Sequence, residues 1–214
     1  MSSIKLNVKF IIEKRRIIFF AKLLGIKVRE DIFKKASINL HRIKHNWNAN
    51  KKLAEKVINA IFSGYFFQEK IKVSIFPNNF YLGAAETKKQ LILFGQPIRS
   101  KNFSSAIILH EITHIFLSKI RIKRELIIDE IICFLVEEII YSTENKHIED
   151  IWKKKELDVF HIKALEIAIK YRNKVIYDKL YIKYLFNLLR TNSSKRTLKI
   201  VPPVGLLKNI KIKR

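Results

Sequence analysis

The chain has 214 residues with 43 basic and 19 acidic groups, a formal net charge of +24 at pH 7. Hydrophobic residues make up 48% of it, which excludes a disordered chain and is enough for one domain with a sizeable core. The single cysteine, Cys133, excludes an intramolecular disulfide and a cysteine-rich zinc site, and it fits a reducing compartment.

The N-terminal part of the chain predicts a strand and three helices. Residues in the strand alternate between apolar and polar, and Gly25 is expected to stop the first helix. The asparagine-rich segment 46–50 predicts a break between the second and third helices, with Asn50 capping the third. The predicted elements are a strand at 4–10 and helices at 13–24, Asp31–His45 and Lys51–Phe62.

A small β region follows. Its three short segments are apolar or alternating and are separated by turn residues, among them Pro77 and Gly95. We expect a small antiparallel sheet just before the next helix. A free strand edge there would pair with an extended peptide, and the alternative is a hairpin that only scaffolds the helix. The predicted strands lie at 71–75, 80–83 and 90–94.

The pattern H-E-x-x-H lies in a predicted helix that runs from Ser104 to Lys119. His110 and His114 share one helix face, so both imidazoles can reach a single metal ion. Glu111 lies one residue on, where it can hold a metal-bound water without being a ligand. Because the helix is apolar on nearly all sides, this polar set would be costly to bury without a metal. We therefore predict a zinc site.

A catalytic zinc site usually has three protein ligands and one open position. No third histidine follows at short spacing, so the third ligand is expected on the next predicted helix, residues 125–141. Four acidic residues of that helix are candidates, and their spacing alone leaves the choice open. They are Glu125, Asp129, Glu130 and Glu137.

This arrangement resembles the gluzincin-type zinc metallopeptidases, above all the compact minigluzincin forms. In these, a second helix after the H-E-x-x-H helix supplies a glutamate ligand. The resemblance covers roughly residues 45–140. Phe134, four residues after Glu130, and the close spacing of the two helices are similar to the ImmA/IrrE-type peptidases.

The resemblance implies a fold, a cofactor and an activity. The fold would be α+β, a mostly helical zincin-like domain with a helical C-terminal part. His110, His114 and Glu130 would bind Zn²⁺, and Glu111 would be the general base that activates the zinc-bound water to hydrolyse peptide bonds. An oxyanion donor would also be needed, and His147 or His161 could fold back to supply it, although packing or surface exposure is the simpler interpretation for each.

Residues 148–190 predict further helices, and 191–214 predict a basic tail. We therefore expect a single metallopeptidase domain over 1–190, with its core at about 45–141. No apolar run is long enough for a membrane span and no cleavable signal is evident, so a cytoplasmic location is expected.

The positive charge is concentrated at the two ends of the chain. Residues 1–70 and 147–214 each carry a net charge of +11, whereas 71–146 carry +2. Basic flanks can bind nucleic acid or an anionic surface, but a lysine-rich composition, as expected of an AT-rich genome, also explains them. The alternative function is therefore a nucleic-acid- or membrane-surface-binding protein with a structural or degenerate zinc site.

Overall fold

The computed structural model describes residues 4–62, 70–120, 126–153 and 156–177, which form an α+β fold. Glu125, the helical pattern predicted beyond 177 and the predicted tail lie outside the described residues. The helices and strands, in chain order, are β1 (Asn7–Ile11), α1 (Lys14–Leu23), α2 (Asp31–Ile61), β2 (Lys70–Ile75), β3 (Leu82–Glu86), β4 (Leu91–Gly95), α3 (Phe103–Lys119), α4 (Leu126–Ser142), α5 (Ile148–Ile151) and α6 (Val159–Tyr177).

The sheet is mixed, with strand order β1-β2-β4-β3, so the prediction of an antiparallel sheet was wrong. β1, β2 and β4 are parallel, and only β3 runs antiparallel to its neighbour β4. A parallel pair needs a long crossover, and α1 and α2 provide it between β1 and β2. The prediction treated the β region as local and did not pair the N-terminal strand with it. As a result of this order, β3 forms one edge of the sheet.

A single helix, α2, replaces the two helices predicted between Asp31 and Phe62, so the predicted break at 46–50 was also wrong. Trp47 lies in this segment and is only 2% exposed, with its ring against Phe10 of β1. Asn50 donates a hydrogen bond to the Asn46 carbonyl oxygen one turn back and another to Asn102 Oδ1. Tertiary contacts therefore outweigh the weak helix propensity of the asparagines.

The predicted site helix is confirmed as α3, and it lies at the centre of the fold. It packs against α2, α4, β3 and β4. Nearly every side chain from Phe103 to Leu117 is buried, which explains why this helix is apolar on all sides. β3 approaches it closely: a Cβ atom added at Gly83 would lie 3.7 Å from Ile107 of α3 and 2.4 Å from the Gln96 side chain.

Two apolar clusters hold the fold together, and α2 contributes to both. The larger cluster surrounds α3 and α4 and includes Ile43 and Ile58 of α2. The smaller cluster joins α1 to the beginning of α2, where it includes Ile32 and Ala36. Among the described helices, none combines the length and the apolar character that crossing a bilayer requires.

Candidate metal centre

His110, His114 and Glu130 lie together at the interface between α3 and α4. The two histidine Nε2 atoms are 3.2 Å apart. The Glu130 carboxylate lies across both rings, with Oε1 3.3 Å from His110 Nε2 and Oε2 3.2 Å from His114 Nε2. His110 and Glu130 are 8% and 6% exposed, and the His114 side chain is 24% exposed. The three residues therefore form a nearly buried cluster that opens on the His114 side.

The spacing of these three donors fits a zinc ion. Zinc–nitrogen and zinc–oxygen bonds of about 2.0–2.1 Å in a tetrahedral site place neighbouring ligand atoms about 3.4 Å apart. The observed separations of 3.2 and 3.3 Å are close to this value. Two imidazoles and one carboxylate are also a donor set that zinc commonly takes in catalytic sites.

Cys133 lies beside the same cluster, one helical turn after Glu130 on α4. Its Sγ and one ligand atom from each of His110 and His114 all lie within 4.8 Å of one another. The thiol is buried, and burial, followed by the charge of Glu130, raises its pKa well above the ordinary value. Its position adds a sulfur atom to the candidate donors of the cluster.

Glu137 holds the other side of the His110 ring. Its Oε1 lies 2.6 Å from His110 Nδ1, and its Oε2 accepts a hydrogen bond of 2.8 Å from Trp152 Nε1. Glu137 is fully buried. With Nδ1 engaged by the Glu137 carboxylate, Nε2 is the ring nitrogen that faces Glu130 and His114. Glu137, one of the four candidate ligands, thus contacts Nδ1 of His110 and not the Nε2 atom that faces Glu130 and His114.

We expect Glu137→Gln to weaken zinc binding about 10- to 100-fold, because it removes the charge that orients His110 and makes its ring more basic. Trp152→Phe should have a smaller effect in the same direction, since Glu137 keeps its charge but loses a donor. Zinc affinity is measured by competition with a chromogenic chelator, and ring orientation by the absorption spectrum of the cobalt(II) protein.

The control for this pair is Arg172→Gln, which breaks an exposed ion pair with Glu149 away from the cluster. Wild-type affinity and an unchanged cobalt spectrum in Glu137→Gln would contradict the positioning role. An equal loss of affinity in the Arg172 variant would show a general loss of stability instead.

Glu111 lies beside the two histidines in sequence and is 7% exposed. Burial raises the pKa of its carboxyl group, an effect that His110 and His114 oppose and that Glu130 and Glu137 reinforce. A carboxylate with a raised pKa is a better proton acceptor near neutral pH. Its environment is therefore suited to the role of a general base.

The charges of His110 and Glu130 depend on each other. Burial lowers the pKa of His110, but the Glu130 and Glu137 carboxylates outweigh it and hold that pKa well above the ordinary value. Burial likewise raises the pKa of Glu130, and the neighbouring histidines reverse this and hold it well below its usual range. A metal that takes the Nε2 lone pair must therefore displace a proton from His110.

His161, at the beginning of α6, reaches the cluster. Its Nε2 lies 3.8 Å from Glu130 Oε1, and its Nδ1 lies 2.7 Å from Asp158 Oδ1. The other candidate donor, His147, instead lies 2.6 Å from Glu138 Oε1. Of the two histidines considered for the oxyanion, His161 is thus the one placed at the site.

Spacing identified some of these residues and missed others. Glu137 is seven residues from Glu130, so the two share a helix face, but spacing did not distinguish a ligand from a residue that orients one. Asp129 is half-buried and lies about 100° around α4 from Glu130. Trp152 and Asp158 carry no signal in the sequence, because they reach the site through the packing of α5 and α6.

None of the protein-family models, curated proteins or solved structures compared with this chain matches it.

Proposed function

We propose that the chain is a zinc-dependent peptidase of the gluzincin type. The observation that carries this proposal is that His110, His114 and Glu130 lie 3.2–3.3 Å from one another. Glu111 follows His110 on α3 and is nearly buried. These are the residues that the resemblance to gluzincins assigns to the metal and to the general base. The partial exposure of His114 provides an approach for substrate.

Each residue has a distinct role in the proposed reaction. His110, His114 and Glu130 would hold zinc, which when bound supplies a Lewis acid that polarises the scissile carbonyl and acidifies water. Glu111 accepts the proton of the attacking water and then delivers it to the leaving amine. Its raised pKa supports both transfers, because the proton must be held long enough to be passed on.

His161 is the proposed donor to the oxyanion. Asp158 accepts from its Nδ1, which fixes the ring so that Nε2 is directed toward the cluster. Asp158 Oδ1 also accepts from the backbone amide of His161, so the pair is held at the beginning of α6. With Nδ1 donating to Asp158, an N–H at Nε2 requires the imidazolium form of His161, and this form would stabilise the negative charge on the tetrahedral intermediate.

β3 is the proposed binding strand for the substrate. It is an edge of the sheet in the order β1-β2-β4-β3, and it packs against α3, which carries His110 and His114. An extended peptide paired with β3 would add a strand to the sheet and pass beside the site helix. The proposed substrate is therefore a peptide or an unfolded protein segment rather than a compact domain.

The test is cleavage of a peptide library by the purified protein. We expect cleavage that stops when zinc is removed by a chelator and returns when one equivalent of zinc is added. The same chelation should lower the melting temperature, since a ligand that binds only the folded state stabilises it. A protein that binds no zinc, or that cleaves equally well without it, would refute the proposal.

Cys133 supports one alternative, a structural zinc site. A tetrahedral site closed by two histidines, a carboxylate and a thiolate has no open position for water or substrate. The Cys133 sulfur and one nitrogen from each of His110 and His114 lie within 4.8 Å of one another, which supports this alternative. Such a protein would bind zinc tightly and cleave nothing, and substitution of Glu130 and of Cys133 distinguishes the two cases.

A further inference from the structure

We infer that the exposed face of α2 is a binding surface for the phosphates of double-stranded nucleic acid. The surface is a ridge with about one residue per helical turn. Its members are Lys34, Ile38, His41, His45, Asn48, Lys52 and Lys56, and all are exposed. Arg42, also exposed, flanks it. We call the seven listed residues, without Arg42, the α2 ridge.

The ridge is continuous and free of negative charge. Its positions follow one another every three or four residues, which keeps them on one face of the helix. Between Asp31 and Glu55 the helix has no acidic residue. Glu55 itself turns inward, where its Oε1 accepts a hydrogen bond from the backbone amide of Leu6.

The positive charges of the ridge are available to a partner. Within the described part of the chain, Lys34, Arg42, Lys52 and Lys56 form no ion pair. Lys35, which is paired with Asp31, lies off the ridge. The ridge therefore holds three permanent cations, and Arg42 beside it provides a fourth.

The dimensions and chemistry of the ridge fit a duplex better than a membrane. From Lys34 to Lys56 it spans roughly 33 Å at 1.5 Å per residue, about one turn of B-form DNA. The apolar face of α2 is buried against the core, where Ile43, Trp47 and Ile58 lie. A helix that binds membranes needs its apolar face open to lipid, and the ridge exposes one large apolar residue, Ile38.

The experiment compares two variants of equal charge. In the ridge variant, Lys34, Arg42, Lys52 and Lys56 are all replaced by Gln, which keeps good helix formers at these positions. In the control variant, four exposed lysines elsewhere (Lys22, Lys27, Lys101 and Lys153) are replaced by Gln. Affinity for a short duplex DNA is measured at several salt concentrations, and circular dichroism checks that both variants fold.

We expect the wild type to bind with an affinity that falls steeply with salt. The slope of log affinity against log salt should become shallower by about 3–4 in the ridge variant, since each phosphate contact contributes about 0.9. The slope of the control should stay near that of the wild type. An equal decrease of the slope in both variants would show that binding depends only on net charge, and it would overturn the inference.

Two further outcomes would also overturn it. One is no measurable binding to duplex by the wild type, and the other is tighter binding to phosphatidylserine vesicles than to duplex. The experiment does not involve zinc or peptide cleavage, so its result is independent of the proposed peptidase activity.

Discussion

Glu130→Gln should abolish stoichiometric zinc binding, whereas Cys133→Ala should leave it intact. Glu130 is the one described acidic residue shown in contact with both His110 Nε2 and His114 Nε2. The neighbouring histidines keep its carboxyl group ionised, while burial keeps the Cys133 thiol protonated. The ionised Glu130 carboxylate lies 3.2–3.3 Å from the Nε2 atoms of both histidines, whereas the protonated Cys133 thiol lies within 4.8 Å of their ligand atoms. Glu130 should therefore compete for the metal better than Cys133.

Metal content is measured after dialysis against buffer with a known free zinc concentration. The loss in Glu130→Gln should exceed the roughly 100-fold that is typical when only an outer residue is changed. Cys133→Ala keeps a small apolar side chain in the core, so the fold should survive. Full zinc occupancy in Glu130→Gln, with loss in Cys133→Ala, would assign the sulfur as the third ligand. Loss in both variants would favour the closed, structural site.

Glu111→Gln should lower peptide hydrolysis by about 10²–10⁴-fold while zinc content stays at the wild-type level. The substitution removes a proton acceptor but keeps the size and polarity of the side chain. Because glutamine has the size of the nearly buried glutamate that it replaces, we expect no change in the distances from the two histidines to Glu130. Turnover and zinc content are measured on the same preparation.

Glu30→Gln is the matched control, because Glu30 is exposed and lies just before α2, outside the site. It should cleave like the wild type. Undiminished hydrolysis by Glu111→Gln would exclude Glu111 as the base, even if the metal were required. Loss of zinc together with activity would instead make Glu111 a residue that supports the metal.

Local periodicity predicted the elements that carry the site. The spacing of His110 and His114 predicted a shared helix face, and the apolar run around them predicted a buried helix, which α3 confirms. Every strand in the described residues was also anticipated within a few positions. These features depend only on residues that are close in the chain, so they can be predicted from the sequence.

The errors arose where distant residues decide the structure. The parallel pairing of β1 with β2 depends on the path of α1 and α2, which periodicity does not describe. The continuity of α2 depends on the burial of Trp47 and on the hydrogen bond from Asn50 to Asn102. The contact of Glu137 with His110 depends on how α3 and α4 are rotated against each other. Spacing left four candidate ligands, and only the packing of α4 separates Glu130 from Glu137.

The 31-residue helix α2 has a consequence for how the protein unfolds. Because α2 contributes residues to both apolar clusters, neither cluster can unfold without disturbing this helix. Denaturation should then be a single cooperative event, with backbone amides near Ile32 and near Ile58 exchanging hydrogen through the same global opening. Ile43→Pro, near the middle of α2, should replace the single unfolding transition by two transitions.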